Sequence, residues 1–287
     1  MPASPLAPLQ TLIQSERGRR VPLPPTLTRL YGGIRMPLPR SGAHVFSNFV
    51  STLDGVVSLQ VAGHSGGADI SGFSAQDRMV MGLLRALADA VIVGSGSLDA
   101  DPRHVWTPEA ICPELADDYR VLRIALRKPR PALNVVVTGS GNIDLRLPVF
   151  TSGRVPVLIV TSPAGGQSLI KKRPGDWVTI RTVRSAGGKI APRAILREVA
   201  RLNSGPRLLL EGGPRLLGSF VEARLIDEQF LTLAPQIAGR ETGDGRLSLV
   251  MGKSFAPRNP RWGRLDDVRR GHSHLFLRYS FRRTMSD

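Results

Sequence analysis

The chain has 287 residues, and 41% of them are apolar, so it can bury the core of one large domain or of two small ones. Its single cysteine, Cys112, excludes a disulfide framework and a cysteine-rich zinc site. The formal net charge of +16 favours an anionic partner, either a nucleic acid or a phosphate-bearing small molecule. No apolar run approaches the roughly 20 residues that span a bilayer. The N-terminus also lacks the apolar core of a signal peptide, so we expect a cytoplasmic protein without a membrane segment.

The chain begins with a stretch that is rich in proline and arginine. This composition predicts an extended or partly ordered arm at 1–43, followed by one folded domain at 44–287. The prolines that define the arm include Pro22, Pro24, Pro25, Pro37 and Pro39. Residues 1–43 hold six Lys/Arg against one acid, and residues 252–287 hold nine against three. Few aromatic residues accompany this charge, so we expect a solvated basic surface or a phosphate-bearing ligand rather than nucleic acid.

Strands and helices alternate after the arm. Ser74 is the predicted N-cap of a helix over 75–88, and further helices are predicted near 114–127, 164–172, 191–203 and from Pro214 to about 223. Strands are predicted near 45–52, 90–93, 133–137, 156–160, 177–181, 208–210, 227–234 and 274–283. This alternation predicts a mixed α/β fold with three α/β/α layers around a mostly parallel sheet. The last two strands have no helix between them, which predicts an antiparallel C-terminal edge.

Four short turns directly follow predicted strands. They are Asp54-Gly55, Gly94–Ser97, Thr138–Gly141 and Glu211–Pro214. Ligands of parallel sheets bind at the carboxyl ends of the strands, and glycines, hydroxyls and main-chain amides suit a dinucleotide pyrophosphate. None of these turns has the GxGxxG spacing, and the chain has no Walker A sequence. Each turn alone could be an ordinary connection, but together they predict one binding edge.

The turn at Glu211 is the most informative of the four. Gly212 and Gly213 allow a ligand to approach the main chain closely, and Pro214 suits the first turn of a helix. The free amides at that helix start favour a phosphate. Two interpretations stay open, a phosphate cradle and a plain strand–helix turn without a ligand. The histidines show no HExxH pattern and no carboxylate partner in sequence, so no metal site is expected.

Four longer segments occur in a specific order across 44–283. They are Asn48–Gly55; Ile70–Gly72 with Asp77-Arg78 and Leu84–Ala90; Val91–Ser97 with Asp101-Pro102; and Leu210–Pro214 with Leu217-Gly218, Ile226–Glu228 and Ala234-Pro235. Together they resemble the reductase domain of bacterial riboflavin biosynthesis, which has the dihydrofolate-reductase-like fold. The resemblance implies a homodimeric, NADPH-dependent reductase of a ribosylamino-pyrimidine 5′-phosphate. Such an enzyme transfers hydride from nicotinamide C4 to ribose C1′.

The resemblance also implies roles for individual positions. The substrate would contact Asp54, Arg85, His104 and Glu211. The nicotinamide end of the cofactor would lie near Val50, Ser97 and Asp99, and its adenosine half near Thr138, Gly139, Ser140 and Ser162. The pyrophosphate would lie at Gly212, Gly213, Pro214, Arg215, Leu216, Leu217 and Gly218. No residue is assigned as the proton donor.

Two positions depart from the family pattern. Val56 stands where a lysine or arginine usually follows the Asp-Gly pair, and His104 stands where an apolar residue is usual. The missing charge at Val56 leaves the substrate open. A reductase of the same fold that acts on dihydrofolate or another pterin or pyrimidine is one alternative. A non-catalytic, basic nucleic-acid-binding module is the other.

Overall fold

Apolar side chains of the central strands point alternately into two separate cores. In the strand Ala90–Gly94, Val91 and Val93 belong to one buried cluster, whereas Ala90 and Ile92 belong to the other. Successive side chains of a strand point to opposite faces of its sheet, so the sheet is covered by packed layers on both faces. This arrangement confirms the predicted three layers, with helices on each side of a mainly parallel sheet.

The computed structural model describes residues 6–38 and 42–281. Its strands are β1 (Gln10–Ile13), β2 (Arg19–Arg20), β3 (Arg35–Met36), β4 (His44–Ser51), β5 (Val56–Ser58), β6 (Ala90–Gly94), β7 (Leu133–Thr138), β8 (Val157–Thr161), β9 (Val178–Thr182), β10 (Ser185–Ala186), β11 (Lys189–Ile190), β12 (Arg207–Leu210), β13 (Glu228–Leu233), β14 (Leu247–Ser248), β15 (Gly263–Gly271) and β16 (His274–Phe281). Its helices are α1 (Pro25–Tyr31), α2 (Gly67–Ser71), α3 (Ala75–Leu87), α4 (Ser95–Ala100), α5 (Pro108–Ile111), α6 (Ala116–Ala125), α7 (Pro148–Thr151), α8 (Pro163–Lys171), α9 (Pro192–Arg201) and α10 (Pro214–Glu222). Residues 282 and 283 of the last predicted strand lie outside the described residues.

Ten strands form one sheet in the order β1-β15-β16-β13-β4-β12-β6-β7-β8-β9. The run from β13 to β9 is parallel at every pairing. β16 pairs antiparallel with both β13 and β15, which confirms the predicted antiparallel C-terminal edge. The carboxyl ends of β4, β12, β6, β7 and β8 therefore lie together, and we call this side of the sheet the carboxyl edge.

Residues 6–38 do not form an extended arm. β1 pairs antiparallel with β15, and α1 buries Leu27, Leu30 and Tyr31 in the main core. The prediction from proline content is wrong here, because Pro25 occupies the first turn of α1, where proline is favourable rather than disruptive. Pro39 lies outside the described residues. The boundary between residues 43 and 44 stays a prediction.

Buried charges connect this N-terminal segment to the C-terminal strands. Arg269 donates from Nε to the Tyr31 carbonyl at 2.9 Å and from Nη2 to the Gly33 carbonyl at 2.6 Å. Its guanidinium also lies 4.1 Å from the centre of the Tyr31 ring. Arg278 donates to Asp267 at 3.0 Å and also to Glu228. The N-terminal segment is therefore fixed to the sheet by charge-assisted hydrogen bonds as well as by apolar packing.

Replacing Arg269 by methionine should lower the free energy of unfolding by about 3–5 kcal/mol, because it leaves two buried carbonyls without their donor and removes one of the two cations beside Asp267. Arg270 is the matched control, since it is the next residue of β15 and is exposed. Its replacement by methionine should change stability by less than about 0.5 kcal/mol. Urea unfolding of both variants measures the difference. Equal effects would show that the buried network does not hold the segment.

Candidate active site

The four turns singled out from the sequence all lie at the carboxyl edge. They follow β4, β6, β7 and β12, and these strands run parallel in one continuous part of the sheet. Ser162 follows the next parallel strand, β8, at the same edge. The prediction that these segments share one edge is confirmed.

Three of the four predicted substrate residues meet in one buried cluster. Arg85 of α3 donates from Nε and Nη2 to Glu211 Oε2, at 2.9 and 2.8 Å. Its Nη1 contacts His104 Nε2 at 2.7 Å and donates to the Thr107 carbonyl at 3.2 Å. Arg85 is 2% exposed, so it is not a solvated helix residue. Because each of its nitrogens has a partner in the protein, Arg85 is suited to orient Glu211 and His104.

The two carboxylate oxygens of Glu211 differ in their hydrogen bonding. Oε2 accepts both bonds from Arg85, whereas Oε1 is buried and has no hydrogen-bond partner. A buried carboxylate oxygen without a donor is costly. At a binding edge, Oε1 is therefore available to accept a hydrogen bond from a ligand group such as a ring N–H.

His104 extends the cluster towards solvent. An arginine can only donate, so His104 Nε2 must accept from Arg85 and the ring proton must lie on Nδ1. Nδ1 lies 3.3 Å from Asp101 Oδ2, so this carboxylate is the charged group beside the ring N–H. Burial and the Arg85 guanidinium lower the pKa of His104, so the ring is neutral at physiological pH. The unusual histidine thus links Arg85 to Asp101.

Asp54 lies outside this cluster. Its exposed carboxylate accepts hydrogen bonds from Thr52 Oγ1 at 2.5 Å and from the amides of Ala238 and Gly239 at 3.1 and 2.8 Å. These bonds, that of Thr52 foremost, lower the pKa of Asp54 to about 2. Asp54 therefore joins the turn after β4 to the loop after β13. Its predicted contact with substrate stays a prediction.

The two glycines after Glu211 serve different purposes. A Cβ on Gly212 would lie 2.3 Å from the Gly94 amide nitrogen and 2.4 Å from Val93 Cα, so close packing on β6 requires glycine there. Gly213 has a φ of +24°, and a Cβ there would meet nothing within 4 Å. The amides of Leu216 and Leu217 already donate to the Gly213 carbonyl. No hydrogen bond from the Gly213 or Arg215 amide to the main chain is found in the described part of the chain, so both are candidates to bind an anion at the start of α10.

The other predicted pyrophosphate residues belong to α10 itself. Pro214, Leu217 and Gly218 are buried, whereas Leu216 is half-buried and Arg215 is exposed. A Cβ on Gly218 would lie 2.8 Å from the Met251 carbonyl, so this glycine has a packing reason of its own. Among the predicted pyrophosphate positions, Gly213 and Arg215 are therefore the best placed to contact an anion.

The residues predicted for the adenosine half form tight local turns. Thr138 Oγ1 accepts from the Gly141 amide at 3.1 Å, and Ser162 Oγ accepts from the Gly165 amide at 3.0 Å as the N-cap of α8. Gly139 packs against the Gly188 carbonyl so closely that no side chain fits. Ser140 is exposed. These turns are placed at the predicted edge, and their contact with a ligand stays a prediction.

The residues predicted for the nicotinamide end come from two elements. Val50 lies near the end of β4 and packs with Val56, Ile70 and Ala234. Ser97 is half-buried in α4, and Asp99 is exposed two residues later. Val56, where the family usually has a basic residue, is fully buried in this apolar cluster. A lysine at this position would require the cluster to open.

A buried acid beside the cluster received no role from the sequence. Asp77 of α3 is 5% exposed, and the hydroxyls of Thr232 and Ser71 lie close enough to its carboxyl to lower its pKa. Burial raises the pKa of Asp77 to about 6, the Thr232 hydroxyl opposes this shift, and the Glu211 charge adds to it. In sequence Asp77 is an ordinary first-turn acid after the predicted N-cap Ser74, whose Oγ accepts from the Asp77 amide at 3.3 Å. A first-turn acid is normally exposed, so the sequence does not predict that Asp77 is buried.

A large groove opens away from these residues. It has a volume of about 1490 Å³ and is lined by residues at the amino ends of β4 and β13, together with the two chain flanks. Arg17, Arg19, Arg261 and Arg264 are among its lining residues, and Trp262 is 84% exposed there. None of the predicted site residues lines it. We take the carboxyl edge as the candidate site because the buried acids and the open glycine turn lie there.

The part of the chain that the structure describes contains no group of three or more His, Cys, Asp or Glu that could hold a metal ion. Among its histidines, His44 lies 3.0 Å from Glu228 and His64 lies 2.8 Å from Asp69. Across residues 6–38 and 42–281, no helix has both the length and the apolar character to cross a membrane.

Comparison with known protein families shows the family of this chain. The model of the RibD C-terminal domain family matches residues 43–253, which is well over half of the chain. The chain belongs to the RibD C-terminal domain family. The match covers β4 to β14 and includes the Arg85, His104 and Glu211 cluster. A search of curated proteins finds no match.

Solved structures show the same fold as this RibD C-terminal domain. A pyrimidine reductase-like protein from Corynebacterium diphtheriae has a TM-score of 0.65 and 19% identity, over 90% of this chain and 99% of its own. RibD of Acinetobacter baumannii has a TM-score of 0.61 and 18% identity, over 84% of this chain and 59% of its own. The riboflavin biosynthesis reductase Rib7 of Saccharomyces cerevisiae has a TM-score of 0.57 and 11% identity, over 86% of this chain and 93% of its own. The chain thus spans less than two thirds of the bacterial RibD structure. These similarities confirm the predicted dihydrofolate-reductase-like fold.

Proposed function

We propose that the chain is an NADPH-dependent reductase of a ribosylamino-pyrimidine 5′-phosphate, with hydride transferred to ribose C1′. Membership of the RibD C-terminal domain family supports a reductase of the riboflavin pathway. A similar solved structure, from Thermotoga maritima, is described as a deaminase and 5-amino-6-(5-phosphoribosylamino)uracil reductase. The observation that carries the substrate assignment is the buried, unpartnered Oε1 of Glu211.

The residues at the carboxyl edge fit a dinucleotide. The open space at Gly213, with the amides of Gly213 and Arg215 at the start of α10, suits a pyrophosphate. Val50 and Ser97 would hold the nicotinamide end, and the turn at Thr138 the adenosine half. When bound, NADPH supplies the hydride. The protein's own contribution is to orient the reacting carbons and to exclude water.

The buried cluster then acts on the substrate. Glu211 Oε1 accepts a hydrogen bond from a pyrimidine ring N–H, and Arg85 holds the carboxylate in place through Oε2. A buried acceptor of this kind discriminates strongly against analogues that lack the donor, because its own bond is then left unmade. Val56 gives no charge for the substrate phosphate, so the exposed Arg215 is a candidate for it.

A substrate panel tests this proposal. The aminopyrimidine phosphate and dihydrofolate are each mixed with NADPH, and its consumption is followed by absorbance. Faster consumption with the aminopyrimidine phosphate is the expected result. Faster NADPH consumption with dihydrofolate would instead support a reductase of the same fold that acts on a pterin. No NADPH consumption with either substrate would contradict the proposal. The homodimer implied by the resemblance is part of the proposal, and light scattering in solution tests it.

One observation favours a second candidate function. The basic groove with Arg17, Arg19 and the exposed Trp262 provides positive charge and an aromatic surface, which are the two requirements for binding single-stranded nucleic acid. Fluorescence anisotropy of a labelled single-stranded oligonucleotide tests it. Affinity that falls steeply with salt and is weakened by Trp262→Ala would support this function. Unchanged anisotropy would exclude it.

A further inference from the structure

Reduction of the substrate needs a proton as well as a hydride. Hydride added to the carbon of a C1′=N bond leaves the electron pair of the broken π bond on nitrogen, which must then be protonated. A positioned side chain that supplies this proton typically contributes 10²–10⁴-fold to the rate. The roles given above to Glu211, Arg85 and His104 do not include this step.

The structure has a buried acid on the face of the sheet that α3 covers. Phe46, Leu209 and Phe230 belong to the core on the α3 side. Alternate residues of a strand share a face, so Asn48, Glu211 and Thr232 also face α3. Asp77 is on α3 and is only 5% exposed, and the Thr232 hydroxyl and the Glu211 charge both lie close enough to shift the pKa of its carboxyl.

The strand register shows where the neighbours of this acid lie relative to the end of β4. Thr232 is the register partner of Val50, which is predicted to line the nicotinamide end. Leu210 is the register partner of Ser47, so Glu211 follows at about the level of residue 48. Thr232 and Glu211 both act on the pKa of the Asp77 carboxyl. Asp77 is thus buried near the level of the predicted nicotinamide end and of the predicted substrate anchor.

We propose that Asp77 is the proton donor of the reduction, an inference that rests on the proposed function. As hydride reaches C1′, the O–H bond of the Asp77 carboxyl breaks and its proton passes to the substrate nitrogen. The products are the ribitylamino N–H and C–H bonds, NADP⁺ and the Asp77 carboxylate. Solvent returns the proton to Asp77 before the next turnover.

The charged surroundings keep this acid able to donate. Burial is the main cause that raises the pKa of Asp77 to about 6, and the negative charge of Glu211 adds to it. Arg78 opposes the shift, and so do the hydroxyls of Thr232 and Ser71. His274, whose Nε2 lies 2.9 Å from the Ser71 carbonyl, has a pKa lowered by burial and is neutral at physiological pH. An acid with such a pKa is suited to catalysis near neutral pH.

Single-turnover hydride transfer in the Asp77→Asn variant tests the proposal. We expect the rate to fall 10²–10⁴-fold, with the NADPH dissociation constant changed by less than about twofold. In the wild type the rate should fall tenfold per pH unit above about pH 6, and this dependence should be absent in the variant. The matched control is Asp117→Asn, an exposed first-turn acid of α6, which should behave as wild type.

A second variant separates catalysis from structure. Thr232→Val removes a hydroxyl that lowers the pKa of Asp77, so the break in the wild-type pH–rate profile should move to higher pH while the proton donor remains. A merely structural Asp77 would leave that break where it is. The Asp77 proposal is overturned if the wild type is active and Asp77→Asn, shown to be folded by NADPH binding, keeps its rate. No activity in the wild type would instead overturn the proposed function together with this inference.

Discussion

Replacing Glu211 by glutamine is expected to lower kcat/KM for the aminopyrimidine phosphate by about 100-fold, which corresponds to about 3 kcal/mol for a buried, charged hydrogen bond. Glutamine keeps the shape of the side chain but has only one acceptor oxygen. If the amide oxygen faces Arg85, the amide N–H₂ group faces the substrate donor. If the amide oxygen faces the substrate instead, the N–H₂ group faces the Arg85 guanidinium. One contact is lost in either orientation. Steady-state kinetics measure the loss.

The affinity of this variant for NADPH should change by less than about twofold, because the carboxylate faces the substrate rather than the cofactor. Glu222→Gln is the matched control, since Glu222 ends α10 and pairs with Lys253 at the surface. It should have wild-type kinetics. Thermal unfolding of Glu211→Gln should show some loss of stability, because Arg85 keeps its charge in a buried site. Wild-type kcat/KM in Glu211→Gln would mean that Oε1 does not bind the substrate.

Replacing Gly213 by valine should raise the NADPH dissociation constant at least tenfold, a change of about 1.4 kcal/mol. The new side chain would enter the open space in front of the α10 amides, where the pyrophosphate is expected. The positive φ of Gly213 adds backbone strain to this steric effect. Quenching of tryptophan fluorescence by NADPH measures the affinity.

Gly212→Ala is the contrasting variant in the same turn. Its Cβ would clash with the main chain of Val93 and Gly94, so it should lower stability by about 1–3 kcal/mol. Where the protein is folded, its NADPH affinity should be close to that of wild type. Tight NADPH binding by Gly213→Val would show that the phosphate cradle is elsewhere.

The sequence predicted the central sheet well because its strands are short, apolar and separated by helices with clear periodicity. It did not predict β15, since this strand buries Asp266, Asp267 and Arg269 rather than alternating apolar residues. The buried face of β15 is stabilised by ion pairs, which a hydrophobic pattern cannot reveal. The N-terminal segment was missed for a related reason, because the prolines around α1 concealed the apolar residues that it buries.

The candidate site was predicted in part. The roles of Arg85, His104 and Glu211 came from the family resemblance, and the structure brings these residues together. Asp54 was assigned from the same resemblance, yet its carboxylate is engaged by the Ala238 and Gly239 amides. Asp77 belongs to one of the segments that carry the resemblance, yet it received no role, because a first-turn aspartate is common in helices. Only the packing of α3 against the sheet shows that this one is buried.

Transfer of deuterium from C4-deuterated NADPH reports the proposed reaction directly. Incubated with the ribosylamino-pyrimidine phosphate, the protein should consume one NADPH per product and place a single deuterium at C1′ of the ribityl chain. Mass spectrometry and NMR of the product measure both. A product without deuterium at C1′, or NADPH that is not consumed, would contradict the assignment of this RibD C-terminal domain as a pyrimidine reductase.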